Sequence, residues 1–216
     1  MKKVLIFFFI IISFYSKAQF GVGPKAGLVL SYDNILSDNF NLKFHQQTFI
    51  GSVYNVSFLL GHGDVFHFQP EIYYSQMGSR YYYDDKKTTY TQERNYIGAN
   101  FLFDIGFTKD KFRFYGQPGI YLAFLSSGLI ETRRGTNVTY SSLYSGNSIY
   151  GNSSFPVDFG FTFGLGIQYK IGNGWLGFNP QYRIGFLPHS FDEYDVYMFF
   201  NKAYSLTLSY IFIINN

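Results

Sequence analysis

Residues 65–77 read Val-Phe-His-Phe-Gln-Pro-Glu-Ile-Tyr-Tyr-Ser-Gln-Met. Phe66, Phe68, Pro70, Ile72 and Tyr74 hold the even positions; His67, Gln69, Glu71, Tyr73 and Ser75 hold the odd ones. Successive side chains of a strand point to opposite faces, so this is an apolar wall on one side and a polar wall on the other. A half-buried strand of a soluble sheet would alternate in the same way. Recurrence decides between the two. The pattern predicts eight strands, over 20–32, 48–60, 65–77, 96–107, 112–125, 157–169, 175–187 and 203–212. Short turns at 61–63, 108–111 and 172–173 alternate with long loops at 33–47, 78–92, 126–156 and 188–202. Outer-membrane barrels read this way: apolar toward lipid, polar toward the lumen, short turns in the periplasm and long loops outside.

The expected fold is therefore an all-β, eight-stranded antiparallel transmembrane barrel of the outer-membrane type. Each segment reaches or exceeds the roughly 9–11 residues that a tilted strand needs to span the hydrocarbon. Backbone groups in lipid must all be paired, so the first and last strands should close on each other. The rival is a soluble lipocalin-type barrel, with its apolar face turned inward. Inward glycines beside large outward aromatics, as in 157–169, favour the narrow interior of a small membrane barrel.

The N-terminus reads as a secretory signal peptide over 1–18. Lys2 and Lys3 precede an apolar core over 4–14, and Ser16-Lys17-Ala18 makes a small-x-small cleavage site. That leaves 19–216 as the barrel domain. Three of the 17 Lys and Arg leave with the signal and none of the 14 acids does, so the mature chain is formally neutral. This removes the electrostatic argument for a nucleic-acid partner. Aromatic residues make up 23% of the chain and charged ones 14%, against roughly 25% charged in a soluble domain. Lipid contact accounts for such a surface. With no cysteine, neither a disulfide framework nor a lipid-anchored cysteine is available.

Several segments resemble the PorT-like outer-membrane barrels of Bacteroidetes: G-P-K-A-G-L at 23–28, F-Q-P-E-I-Y-Y-S-Q-M-G at 68–78, and D-F-G-F-T-F-G-L-G-I-Q-Y at 158–169. Q-Y-R-I-G-F at 181–186 and S-L-T-L-S-Y-I-F at 205–212 complete the set. The resemblance covers nearly the whole mature chain in order. It implies the barrel fold, an outer-membrane location and a link to protein secretion.

Six charged residues face the expected lumen: Lys25, Arg113 and Arg183 against Glu71, Asp104 and Asp158. They read either as a polar path for a solute or as a plug of ion pairs, and the interior of eight strands is narrow enough for side chains to fill. Asp104 and Arg113 flank one turn on one face and are placed to pair. Glu71 and Arg183, at similar heights, suggest a shared network. His45, His62, His67 and His189 do not converge, so neither a metal site nor a cofactor is expected. No His falls beside a Ser on a lipid face, which argues for a non-enzymatic barrel over a lipid-modifying one. In the loop over 126–156, Tyr140, Tyr144 and Tyr150 offer contact area for a surface partner, and Arg133 and Arg134 at its base offer contacts to lipopolysaccharide phosphates. The expected function is a small structural or surface-binding barrel, with an accessory part in a secretion machine as the alternative. The expected partners are outer-membrane lipid, lipopolysaccharide, and a secretion or surface protein.

Overall fold

The computed structural model describes residues 19–36, 45–62, 65–83, 88–142, 156–192 and 197–215. The segment 1–18, expected from the sequence to be a signal peptide, lies outside them. The strands are β1 (Gln19–Leu36), β2 (His45–His62), β3 (Phe66–Tyr83), β4 (Thr88–Lys109), β5 (Phe112–Arg134), β6 (Asn137–Ser142), β7 (Val157–Ile171), β8 (Gly174–Asp192) and β9 (Tyr197–Asn215). Eight of them form a closed antiparallel ring in the order β1-β2-β3-β4-β5-β7-β8-β9, with β9 paired back onto β1. Closure leaves the wall without an open edge, as lipid requires. The chain forms the eight-stranded transmembrane barrel that its alternation predicts. β6 stands outside the ring, paired with β5.

The faces sort as a membrane demands. Ile50, Ile72, Leu165 and Leu208 expose 67, 59, 69 and 62% of their surface, while Lys25, Glu71, Asn100, Asp104 and Thr162 are buried inside. A soluble barrel would show the reverse.

The strands run further toward the long-loop end than expected. β1 continues to Leu36, β3 to Tyr83, β5 to Arg134 and β8 to Asp192, while β4 begins at Thr88. Much of what reads as loop at 33–47, 78–92, 126–156 and 188–202 is therefore sheet. The physical reason is that a ladder needs only N–H and C=O groups. What stops near Tyr74 and Phe124 is the apolar outward face. The expected 126–156 loop opens with a hairpin: β5 turns at Gly135 and returns as β6. The first residue of each two-residue turn, Asp110, Gly135 and Gly172, has φ of 57°, a left-handed value that glycine accepts without a Cβ clash. The β4–β5 ladder slips between Asn95 and Tyr96. Beyond this bulge β5 exchanges faces, so Ile130 points in.

Four prolines organise the wall. Pro24, Pro70, Pro118 and Pro180 lie in β1, β3, β5 and β8, every second strand of the ring. Each lacks an N–H, and each falls in a gap of the ladder to the preceding strand: β9, β2, β4 and β7 respectively. Toward the following strand the ladder runs through unbroken, at Pro24↔Val56, Pro70↔Phe101, Pro118↔Phe163 and Pro180↔Leu206. From one proline to the next the register slips in one direction: from Val56 to Phe58, Phe101 to Phe103, Phe163 to Leu165 and Leu206 to Tyr210. A steady slip is the stagger by which tilted strands close a barrel, so the four prolines circle it at nearly one height. At one gap the missing donor is replaced: Asn179 Nδ2 donates to the carbonyl of Leu165 at 3.2 Å.

Candidate functional site

The residues flanking the prolines point inward and build the centre of the lumen. Glu71, which follows Pro70, is buried with Lys25, which follows Pro24, at 3.0 Å. Its Oε1 also accepts from Ser57 Oγ (2.9 Å) and Gln69 Nε2 (2.8 Å). Its Oε2 accepts from Asn55 Nδ2 and Asn100 Nδ2, each at 2.8 Å. Lys25 Nζ donates across the lumen to Asn179 Oδ1 at 3.0 Å. A buried carboxylate is tolerable only when paired and hydrogen-bonded, and five donors from four strands meet that condition. Gln181 Nε2 donates to Gln117 Oε1 at 2.7 Å, passing over Gly164, where a Cβ would come within 3.0 Å of Gln181. Gln117 Nε2 continues to Asp104 Oδ1 at 2.6 Å. Below, Arg113 Nη1 lies 3.6 Å from Asp104 Oδ2 and 3.5 Å from Gln168 Oε1.

Above this layer an apolar cluster shares the lumen with buried polar groups. Val29, Val53, Tyr73, Met77, Tyr96, Tyr121, Ala123 and Ala203 form one buried cluster. Arg183 packs its guanidinium 4.3 Å from the Tyr73 ring centre. Glu71 and Arg183 therefore do not share a network: Arg183 stands three residues beyond Pro180, Glu71 one beyond Pro70, and Lys25 occupies the carboxylate. Asp158 Oδ2 accepts from Asn201 Nδ2 (2.8 Å) and Tyr121 OH (3.1 Å).

A third layer closes the outer end. Asp33 Oδ1 accepts from Arg94 Nη2 at 2.6 Å; its Oδ2 accepts from Ser79 Oγ at 2.5 Å and from the Tyr81 hydroxyl. Arg94 Nη1 reaches Gln92 Oε1 at 3.2 Å. Sequence reasoning missed this pair by placing Asp33 in a loop and starting the fourth strand at Tyr96, beyond Arg94. The signal was present as parity: Asp33 continues the inward series Lys25, Val29, Ser31, and Arg94 continues Asn100, Tyr96. Among the described residues the lumen thus buries Lys25, Arg94, Arg113 and Arg183 against Asp33, Glu71, Asp104 and Asp158. Also among the described residues, no three or more His, Asp or Glu side chains are grouped to hold a metal ion. His67 is buried in the lumen and His45 exposed; the side chains of His62 and His189 lie outside the described residues.

Outside the lumen the β5–β6 hairpin projects from the rim, and every residue of β6 is exposed. Tyr140 is 64% exposed. Arg133 and Arg134 stand beside the hairpin turn, not at the base of a loop, and Arg133 Nη2 donates to Glu131 Oε1 at 2.9 Å. Tyr144 and Tyr150 lie outside the described residues.

No protein-family model and no curated protein matches the chain. Among solved structures, the outer membrane protein OprG from Pseudomonas aeruginosa is similar over 91% of this chain and 97% of its own, with a TM-score of 0.54 and 12% identity. Neisserial surface protein A (NspA) aligns over 90% of this chain and 97% of its own, with a TM-score of 0.47 and 13% identity. At such identity the likeness to OprG concerns the fold alone, the small outer-membrane barrel.

Proposed function

We propose that the protein is a non-enzymatic outer-membrane barrel with a closed lumen, whose outer rim presents a binding surface. What carries the reading is the stack inside the wall. The Lys25–Glu71 layer, the tyrosine-rich layer and the Asp33–Arg94 layer lie one above another along the axis, while the β5–β6 hairpin stands exposed beyond them. Activity in such an object belongs to the rim. The signal peptide is cleaved after Ala18 in this reading, which the mass of the mature chain checks. Refolded into a planar bilayer, the protein is expected to carry no steady ionic current; a sustained open-channel conductance would overturn the closed lumen. Crosslinking from residue 140 on intact cells is expected to capture a surface partner, and removing the hairpin to abolish capture.

A second reading follows from the PorT-like resemblance: an accessory part of a secretion machine. What supports it is that the G-P-K and Q-P-E segments supply the Lys25–Glu71 pair at the lumen centre. Co-purification of further envelope proteins in mild detergent is the expected result under it.

A further inference from the structure

The proline ring provides a height scale for the outer surface. On β1 the outward apolar series runs to Tyr32, eight residues past Pro24; on β3 it ends at Tyr74, four residues past Pro70. A strand advances roughly 3.3 Å per residue at a tilt of roughly 40°, so each residue lifts the chain about 2.5 Å along the barrel axis. The apolar band thus ends about 10 Å lower on the β3 side than on the β1 side. Above it the outward positions of β3, β4 and β5 are mostly polar, with Leu129 an exposed apolar exception. Tyr74 OH donates to Asn95 Oδ1 (2.9 Å), Gln76 Nε2 to Glu93 Oε1 (2.7 Å), and Asn95 Nδ2 to Ser127 Oγ (3.1 Å). Arg80 lies ten residues past Pro70, about 5 Å above the height of Tyr32, where lipid headgroups begin.

At that height a polar cleft of about 250 Å³ opens on the outer wall, lined by Gln47, Arg80, Thr89, Thr91, Glu131 and Arg133. Strand register sets Gln47, Arg80, Thr91 and Glu131 in one row across four strands, with Thr89 and Arg133 in the row above. Arg80 Nε donates to Thr91 Oγ1 at 3.3 Å, and Arg133 is held by Glu131 through one terminal nitrogen. Each guanidinium is oriented and keeps further N–H groups for a ligand.

We propose that this cleft binds the phosphorylated saccharide headgroup of an outer-leaflet glycolipid of the lipopolysaccharide type. Arg80 and Arg133 take the phosphate oxygens, and Gln47, Thr89 and Thr91 take sugar hydroxyls. The inference rests on the outer-membrane reading above. Guanidinium forks match phosphate bidentately. The cleft opens about 15 Å above the apolar edge at Tyr74, across the polar tier of Gln76, Glu93 and Asn95, so it meets the headgroup and not the acyl chains. Glu131 opposes the phosphate and moderates the affinity.

The test uses the full mature chain, refolded in detergent micelles and shown folded by its heat-dependent gel shift. It measures purified lipopolysaccharide retained per barrel after size exclusion. The Arg80→Ala/Arg133→Ala variant is expected to retain at least about tenfold less. Glu131→Gln is expected to retain more, and Lys109→Ala/Lys111→Ala at the opposite end to match the wild type. Unchanged retention in the double arginine variant overturns the proposal. So does full displacement by millimolar inorganic phosphate, which would make the cleft a site for free anions. Retention in micelles is independent of cell fractionation. A barrel absent from outer membranes would therefore defeat the location, and only the retention assay defeats the cleft.

Discussion

Two buried ion pairs lie on the barrel axis in unlike settings. Lys25–Glu71 sits at the proline ring, where the outer wall meets acyl chains. Asp33–Arg94 sits near the outer end, where the wall outside it carries Gln76, Glu93 and Asn95. Both acids are fully buried, yet their surroundings divide the work differently. Glu71 gathers its lysine and four neutral donors from β1, β2, β3 and β4, and Lys25 extends the tie across the lumen to β8. Among the described contacts of its carboxylate, Asp33 takes one guanidinium and two hydroxyls, Ser79 and Tyr81, from β3 and β4. The first arrangement braces the ring from within. The second ties down one side of the extension beyond the apolar wall.

Glu71→Leu is the sharpest way to break the comparison. It strands Lys25 and four polar donors in a closed layer, and removing one partner of a buried pair costs about 3–5 kcal/mol. Urea unfolding of the micelle-refolded barrel, followed by loss of the heat-dependent gel shift, is expected to show a loss of that size. Arg94→Leu comes second. Ser79 and Tyr81 still hold Asp33, so about 2–3 kcal/mol is expected, the worth of a hydrogen bond to a charged group with some relaxation. Its effect should concentrate at the outer end, seen as faster protease cleavage near the ends of β1, β3 and β4 while the membrane-level core stays resistant. Equal losses from both variants, with equal protease patterns, would show that depth in the barrel does not matter.

The two pairs also differ in how well the sequence announces them. Glu71 and Lys25 were legible because each sits inside an apolar–polar alternation: Phe68-x-Pro70-x-Ile72 frames Glu71, and Pro24-x-Ala26-x-Leu28 frames Lys25. Asp33 and Arg94 lie where the outward residues stop being apolar, and a reading keyed to lipid-facing residues ends the strand there. The inward series goes on, but a single polar residue every second position looks like loop when its neighbours are also polar. Their pairing depends on β1 and β4 meeting across the lumen, which no local pattern states. The same blindness made the hairpin of Arg133 and Arg134 a loop base. The prolines were legible as outward residues at 24, 70 and 118; that they stand at one height follows only from the register of all eight strands.

The smallest expected effect tests how the wall tolerates that ring. The N–H that Pro180 lacks would face β7, where Asn179 Nδ2 already serves the Leu165 carbonyl. In lipid an unserved carbonyl is costly, so Asn179 acts as the substitute donor for its own neighbour. Pro180→Ala supplies a backbone donor at the same place and is expected to stabilise the barrel by about 1 kcal/mol. Asn179→Ala loses the Leu165 carbonyl, the Tyr115 hydroxyl and Lys25 in the native background, but only Tyr115 and Lys25 when position 180 is alanine. The two substitutions should therefore couple by about 1 kcal/mol in a double-mutant cycle read by urea unfolding. Strict additivity would mean that Asn179 serves only Lys25 and Tyr115 and that the carbonyl at Leu165 is met by some other group. A coupling of the expected sign would make Asn179 the joint between the broken ladder and the ion pair at the lumen centre.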